Sequence, residues 1–163
     1  MQAKIPTRKN RLLSVDIDDS ISSGGSLEAE QDRKLAVQEL LEFNSFALSN
    51  GLDGPYALRL SSMDGRLMFN FLCGGEAKKF VIGLSLSPFR RVVKDYFQIC
   101  DSYNMAVKGS NPQQIEAIDM ARRALHNDGS TLLQERLAGK AEMDFDTARR
   151  VFTLICALLW RTP

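Results

Sequence analysis

The stretch SLSPFRRVVKDYFQICDSY, Ser85–Tyr103, joins the end of an alternating apolar segment to a long amphipathic one. Ser87 followed by Pro88 is a typical helix start, because a Ser side chain caps free N–H groups and Pro fits the first helical position. Apolar residues then recur at helical spacing as far as Val107, and Gly109 is the predicted end. The stretch therefore predicts the last strand of a small sheet followed by a long helix.

Three cations lie in the first two turns of this predicted helix: Arg90, Arg91 and Lys94. Acids come only later, at Asp95 and Asp101. This order opposes the helix dipole, and each misplaced exposed charge costs ~0.3–1 kcal/mol. Two explanations remain open. Acids from elsewhere in the fold neutralise the cations, or an anion binds to them and to the helix N–H groups together.

The clearest strand signals precede this stretch. Apolar and polar residues alternate on both sides of the Asp64-Gly65 hairpin turn, and again after Gly74-Gly75. The predicted strands are Tyr56–Leu60, Leu67–Phe71 and Phe80–Leu86, with a fourth at Leu13–Ile17. The first three form an antiparallel meander with one apolar face, which helices have to cover.

Helical patterns account for most of the remaining chain. We predict helices from about Leu27 to Asn44 with Ser26 as cap, from Pro112 to about His126–Gly129, from about Ser130 to Ala138, and from Asp144 to Trp160. The predicted fold is α+β, with an antiparallel sheet of three to four strands packed on one face by a C-terminal helical layer. Residues 1–11 are a basic tail that we expect to be flexible, and residues 12–163 form a single domain.

Composition narrows the function classes. The 163 residues suit one domain, and the net charge of +1 argues against a surface that attracts nucleic acid or membranes as a whole. Three widely spaced cysteines form no disulfide framework, which suggests a cytoplasmic location. The longest apolar run, Val151–Trp160, is far shorter than the ~20 residues that span a bilayer, and no secretory signal is present. We therefore expect no membrane association.

Three arginine pairs stand out: Arg90-Arg91, Arg122-Arg123 and Arg149-Arg150. Each is predicted on the polar face or flank of a different helix, so that convergence of the helices would create a surface suited to RNA, DNA or a phosphorylated partner. No aromatic residues are interleaved with the pairs to stack bases. The candidate anion- or partner-binding residues are Arg90, Arg91, Lys94, Arg122, Arg123 and His126.

Motifs for metal or nucleophilic chemistry are weak or absent. His126 is the only histidine, which excludes a multi-histidine metal site, and no CxxC spacing suits zinc. We interpret His126 as a residue that meets the negative end of a helix dipole, and Cys73 as an ordinary turn residue. The segment Asp16–Ser20, DIDDS, only superficially looks like the nucleophile motif of haloacid-dehalogenase-type phosphatases, which need a parallel sheet. We predict no metal and no cofactor.

Several longer blocks are similar to a known family. They are GPY at Gly54–Tyr56, SLSPFRRVVKDYF at Ser85–Phe97, QIEAIDMARRALHNDGS at Gln114–Ser130, LQERLAGK at Leu133–Lys140 and DFDTARRVFTL at Asp144–Leu154. They resemble a family of uncharacterised small proteins of alphaproteobacteria, over nearly the whole chain after the N-terminal tail. The resemblance implies a cytoplasmic bacterial protein and carries no activity or ligand.

The sequence favours a non-enzymatic interaction or regulatory protein with an anion-attracting patch, which meets a protein partner or a second copy of itself. One alternative is an RNA- or DNA-binding protein that uses the arginine pairs. Another is an enzyme on a small anionic substrate, with Arg90 and Arg91 as clamps and His126 as acid or base in the same pocket. Whether the three arginine pairs converge is a question for the tertiary structure.

Overall fold

The structure, a computed structural model, describes residues 9–21, 26–74 and 78–159. Most of the predicted basic tail, residues 22–25 of the predicted Ser-rich break, Gly75 and Trp160 lie outside these ranges. The elements are β1 (Leu12–Ile17), α1 (Leu27–Glu42), β2 (Phe46–Leu48), β3 (Tyr56–Met63), β4 (Arg66–Cys73), β5 (Lys78–Ser85), α2 (Arg90–Gly109), α3 (Pro112–Leu137), β6 (Ala141–Met143) and α4 (Phe145–Leu159). The α+β fold class is confirmed.

The main sheet has the strand order β1-β3-β4-β5. The β3–β4–β5 part is the predicted antiparallel meander, and its first turn holds Asp64 and Gly65 at φ angles of 52° and 76°. The fourth strand, β1, pairs with β3 in parallel, so the sheet is mixed. The alternation in β1 predicted a strand but carried no information on its direction.

The interior face of β1 differs from the prediction at one residue. Leu12 is 2% exposed whereas Leu13 is 53% exposed, although the alternation of Leu13, Val15 and Ile17 with polar residues predicts that these three share one face. The pairing of β1 with β3 has a register irregularity between Leu12 and Ser14. An extra residue at such a bulge reverses the side to which the preceding side chains point, so Leu12 takes the core position.

A second sheet joins β2 to β6 and was not predicted. Its two strands are antiparallel, with Ala47 opposite Glu142. Each has three residues, too few for an alternating pattern to be recognised.

Cys73 differs from the prediction, since it is the buried last residue of β4 and not an ordinary turn residue.

The start of α1 is as predicted, and its buried face includes small residues. The Ser26 side chain caps α1 by accepting a hydrogen bond from the N–H of Ala29 at 3.0 Å. Two apolar residues of the predicted helix, Leu35 and Phe43, are exposed. The buried residues of α1 are instead Ala29, Arg33, Ala36 and Leu40. Arg33 donates to the carbonyls of Ala157 and Leu158 near the end of α4. The buried face of α1, with the small residues Ala29 and Ala36, therefore packs on α4.

The predicted break after His126 does not exist. Residues Pro112–Leu137 form one continuous helix, and Gly129 lies inside it. A Cβ atom at residue 129 would lie 2.2 Å from Cζ of Phe152 on α4, so this glycine is required for close helix packing rather than for a helix end. His126 is therefore an interior residue of α3, and its predicted place at the end of a helix dipole is wrong.

The last helix is capped as predicted, since Asp144 accepts a hydrogen bond from the N–H of Thr147 at 2.9 Å. Its apolar run from Val151 is buried in one core cluster with the inner face of the sheet. Packing of α2 on α3, α3 on α4 and α4 on α1 completes the helical layer. Within the described ranges, no helix combines the length and the apolar character needed to cross a membrane.

Candidate functional site

A polar cleft of about 480 Å³ is lined by residues from all four helices. Its lining residues are Glu39 of α1, Tyr96 of α2, Arg122, Arg123 and His126 of α3, and Asp146, Arg149, Arg150 and Thr153 of α4. We call it the arginine cleft. Four guanidinium groups face two carboxylates among these residues, so the lining carries a net positive charge.

Two of the three arginine pairs converge in this cleft, and they are Arg122-Arg123 and Arg149-Arg150. His126, which was also predicted for the site, lies with them. The cations of α2 do not line the cleft: Arg90, Arg91 and Lys94 are exposed. The predicted patch therefore divides, with its α3 residues at the cleft and its α2 residues outside it.

The start of α2 explains only part of its unusual charge order. A 3₁₀ turn, Ser87–Phe89, precedes the helix, and the predicted cap by the Ser87 side chain is absent there. Arg91 approaches Asp95 on its own helix, with Nε 3.9 Å from Oδ2. Such an exposed pair stabilises a helix by only ~0.3–0.5 kcal/mol.

The contact between α3 and α4 positions the cleft. Phe152 of α4 packs edge-on to the His126 ring, at 5.1 Å between centroids, and lies directly over Gly129. Tyr96 of α2 packs on the other two rings, 5.3 Å from His126 and 6.2 Å from Phe152. Because Gly129 allows the two helices to approach closely, the arginines of α3 come next to those of α4.

The hydrogen bonds of Thr153 define the tautomer of His126. The Thr153 hydroxyl donates to the carbonyl of Arg149 at 3.0 Å, so its oxygen must accept from the histidine ring. The ring atom in contact is Nε2 of His126, at 2.8 Å from Oγ1. Nε2 therefore carries the proton in the neutral ring, and Nδ1 is left as an acceptor.

His126 is 8% exposed, and its Nδ1 is buried without a hydrogen-bond partner among the described residues. Burial, together with repulsion from Arg149 and Arg122, lowers the pKa of His126 to about 4. The imidazole is therefore neutral near pH 7.

The α3 arginines are partly neutralised by one acid. Nη2 of Arg122 lies 2.6 Å from Oδ1 of Asp119, and Nη2 of Arg123 lies 3.2 Å from Oδ2 of the same carboxylate. Arg122 also stacks over the Tyr103 ring, at 5.1 Å from its centroid. The hydrogen bond from Arg122 lowers the pKa of Asp119, which stays ionised. The Asp119 carboxylate thus forms ion pairs with both guanidinium groups.

The α4 arginines have different surroundings. Arg150 donates through Nη1 to the carbonyl of Phe43 and packs over its ring, 5.8 Å from the centroid. Arg149 makes no ion pair with any described residue, and its buried Nε has no hydrogen-bond partner. Arg149 and His126 both line the cleft, and each has one buried ring or guanidinium nitrogen without a hydrogen-bond partner among the described residues.

No reactive nucleophile is evident among the described residues of this region. Burial raises the pKa of Tyr96 to about 12 and also raises the thiol pKa values of Cys100 and Cys156. A thiol with a raised pKa is mostly protonated near pH 7 and is a poor nucleophile. The part of the chain that the structure describes also has no cluster of three His, Cys, Asp or Glu side chains placed to hold a metal ion.

Several lining residues were not predicted, among them Tyr96, Glu39, Asp146 and Thr153. They carry no local motif, because each is brought to the cleft by the packing of a different part of a helix.

A second, larger groove of about 610 Å³ between β1 and α1 was also not predicted. It is mainly apolar, and Val15, Ile17, Val37 and Leu41 are among its lining residues.

The fold and the cleft define an α+β protein in which a mixed four-stranded sheet packs with helices that enclose an arginine-lined cleft. Residues 9–161 match the family described as "Uncharacterised protein family (UPF0262)", and the chain belongs to that family. The resemblance found in the sequence is thereby confirmed.

Relatives come from several alphaproteobacteria. A UPF0262 protein of Paracoccus denitrificans is 58% identical over 155 residues, which cover 92% of this chain and 96% of the relative. A UPF0262 protein of Caulobacter vibrioides is 54% identical over 152 residues, or 93% of this chain and 94% of the relative. One of Ruegeria pomeroyi is 55% identical over 154 residues, with 91% and 96% covered. No solved structure matches the chain.

Proposed function

We propose that this protein is a non-enzymatic regulatory or interaction protein that binds a small oxyanion in the arginine cleft. The observation that carries the proposal is the convergence of four arginines, Arg122, Arg123, Arg149 and Arg150, in a cleft whose other charged lining residues are Glu39 and Asp146. Guanidinium groups gathered in one cleft repel one another, and a bound oxyanion supplies hydrogen-bond acceptors and the opposite charge.

The chemistry of His126 supports a binding role over catalysis. With a pKa of about 4, the imidazole is a weak base near pH 7, whereas an efficient general base has a pKa close to the working pH. The enzyme alternative also required Arg90 and Arg91 in the pocket of His126, and these arginines do not line the cleft.

The position of the cleft supports a regulatory role. Its lining comes from α1, α2, α3 and α4, so an anion that contacts Arg149 and Arg122 would add a link between α3 and α4. A ligand that binds only this arrangement stabilises it by mass action. Occupancy could then change the rigidity of the surface that a partner meets.

Calorimetric titration tests the proposal. Phosphate, sulfate, pyrophosphate and citrate are titrated into the protein at constant ionic strength, and the melting temperature is followed in parallel. We expect at least one anion to bind and to raise the melting temperature, and Arg149→Gln to weaken that binding tenfold or more. Arg91→Gln removes the same charge at an exposed position and is the matched control.

Two results would contradict the proposal. One is that none of the four anions binds the unmodified protein. The other is that Arg149→Gln and Arg91→Gln weaken binding equally, since the effect would then reflect net charge and not the cleft.

A pull-down from the native host addresses the proposed partner. We expect a protein, or a second copy of the chain, to be recovered after nuclease treatment. Recovery that nuclease abolishes would favour the nucleic-acid alternative, in which affinity falls with salt by about one unit of log–log slope per phosphate contact. The size of the arginine cleft suits a small anion better than a nucleic-acid strand.

A further inference from the structure

We propose that the outer edge of β1 takes up residues 2–8 (QAKIPTR) of a second copy of this chain as an additional antiparallel strand, so that two copies dimerise by exchanging these segments. We call residues 2–8 the arm. In this pairing Lys4 of the second copy lies opposite Asp16, and Ile5 of the second copy lies opposite Val15. The inference concerns other residues than those that line the arginine cleft, and it does not depend on the proposed function.

The first observation is that β1 has a free hydrogen-bonding edge. Among the described strands, β1 is at one end of the main sheet and pairs with β3 alone. The N–H of Asp18 donates to the carbonyl of Leu60 on β3, and the backbone groups of successive residues in a strand point to alternate sides. The N–H and C=O groups of Val15 and Ile17 therefore point away from β3, where no described residue pairs with them. Such an edge is a template for strand addition.

The second observation is the apolar groove of about 610 Å³ beside this edge. Val15 and Ile17 of β1 line it, together with Val37 and Leu41 of α1, and all of them are only half-buried. A strand added to β1 would place every second side chain over this groove and cover its apolar lining. The edge therefore offers both backbone hydrogen bonds and an apolar surface.

The third observation is the charge on the other face of this edge. Asp16 alternates with Val15 and Ile17, so its side chain points to the opposite face of the sheet, where it is exposed. No described residue forms an ion pair with Asp16, whereas Asp18 is paired with Arg59. A strand that suits both faces alternates apolar with basic residues, because like charges directly opposite each other are unfavourable. Pairing of β1 with a second β1 would bring the acids of two copies together.

The arm has the required alternation. Ala3 and Ile5 are apolar, and Lys4 and Pro6 follow them. When Lys4 lies opposite Asp16 in an antiparallel pairing, both apolar side chains point to the groove and their backbone groups face β1. Pro6 then directs its nitrogen to solvent, where the missing N–H costs no hydrogen bond. One register of the arm thus satisfies the edge, the groove and the charge together.

The bonds that surround the start of β1 favour the arm of a second copy over the chain's own arm. In the same register, the chain's own arm would have to turn back at residues 9–11 and run along Leu12. The N–H and C=O groups of Leu12 already bond to the Asn44 side chain, at 2.7 and 3.1 Å. The carbonyl of Asn10 accepts from the N–H of Phe46. The edge that a hairpin within one chain needs is therefore occupied.

Charge reversal across the pair tests the dimer. Sedimentation equilibrium of the full chain gives the dissociation constant of the dimer at constant ionic strength. We expect the unmodified chain to dimerise, and Lys4→Glu and Asp16→Lys each to raise the dissociation constant tenfold or more, since both place like charges opposite each other in each half of the dimer. Glu116→Lys makes the same change of charge as Asp16→Lys at an exposed position of α3 and is the matched control.

A mixture of the two variants shows which copy supplies the arm. In a dimer of one Lys4→Glu chain and one Asp16→Lys chain, both pairings join opposite charges. The mixture should therefore dimerise with nearly the affinity of the unmodified chain. The amide hydrogens of Val15 and Ile17 should exchange with deuterium more slowly in the mixture than in either separate variant.

Each further outcome decides against the inference. An unmodified chain that stays monomeric would overturn it. A dimer that neither charge reversal weakens would use another surface, which also overturns it. If both variants lose the protection of Val15 and Ile17 and the mixture does not restore it, the arm pairs within its own chain and the second copy is the wrong occupant.

Discussion

A Cβ atom at Gly129 would lie 2.2 Å from Cζ of Phe152, and two other atoms of that ring would be within 2.6 Å. Phe152 is fully buried, and the rings of Tyr96 and His126 pack against it. The α3–α4 contact thus depends on the absence of a side chain at residue 129. The relative position of the residues that α3 and α4 contribute to the arginine cleft depends on this contact.

We expect Gly129→Ala to lower the free energy of unfolding by about 2 kcal/mol. Overpacking costs about 1–3 kcal/mol or more, and the better helix propensity of Ala recovers only about 1 kcal/mol. Gly109→Ala is the control. Gly109 is the last residue of α2, and nothing lies within 4 Å of a Cβ atom placed there. Urea unfolding measures both. In the double variant with Gly129→Ala, Phe152→Leu should restore part of the lost unfolding free energy. If the effects of the two substitutions on that free energy are strictly additive, the two residues do not interact as described.

Asn44 connects the edge strand to a helix. Its Oδ1 accepts from the N–H of Leu12 at 2.7 Å, and its Nδ2 donates to the carbonyls of Leu12 and Leu40 at 3.1 and 2.9 Å. These three hydrogen bonds are buried. Asn44→Ala leaves their backbone partners without the Asn44 side chain and should lower the free energy of unfolding by about 3 kcal/mol. Asn50→Ala removes one exposed hydrogen bond, to Leu52, and should cost under about 1 kcal/mol in the same urea experiment. Equal losses would show that the Asn44 bonds contribute little.

The lowered pKa of His126 predicts a specific loss of stability in mild acid. Below about pH 6.5 the unfolded chain binds a proton that the native chain binds only near pH 4, so stability falls as the pH decreases between these values. The expected loss is about 2 kcal/mol, less than the full linkage value because the cleft opens to solvent. Unfolding measured from pH 7 to pH 4.5 checks this. His126→Phe should flatten the profile in that window, and a profile identical to that of the unmodified chain would refute the assignment.

Asp119 should weaken anion binding, because its carboxylate neutralises part of the charge of Arg122 and Arg123. We expect Asp119→Asn to tighten the binding of the phosphate and sulfate dianions by roughly fifteenfold, since a unit charge ~7 Å from a dianion is worth ~1.6 kcal/mol at an effective dielectric constant of ~60. Asp95→Asn, which removes an acid paired with exposed Arg91, is the control. Weaker binding in Asp119→Asn would mean that this acid acts mainly by positioning Arg122.

The sequence by itself determined the elements with strong periodicity or clear end signals. The β3–β4–β5 meander followed from alternation around Asp64-Gly65, and the starts of α1 and α4 followed from Ser26 and Asp144, because these signals act within a few residues. It also identified the family and the arginine pairs. The strands β2 and β6 carried no comparable signal, since three residues are too few to show a period.

The tertiary structure alone decided where α3 ends, how β1 pairs and which charges meet. Gly129 has the sequence signature of a helix end, and only the position of Phe152 reveals that it serves a close helix contact instead. The same contact places His126 and Arg149 together from positions that are far apart in the chain, while Arg90 and Arg91 stay outside. Local sequence signals describe the backbone within a few residues, whereas the cleft depends on packing between helices, and packing is a property of the whole chain.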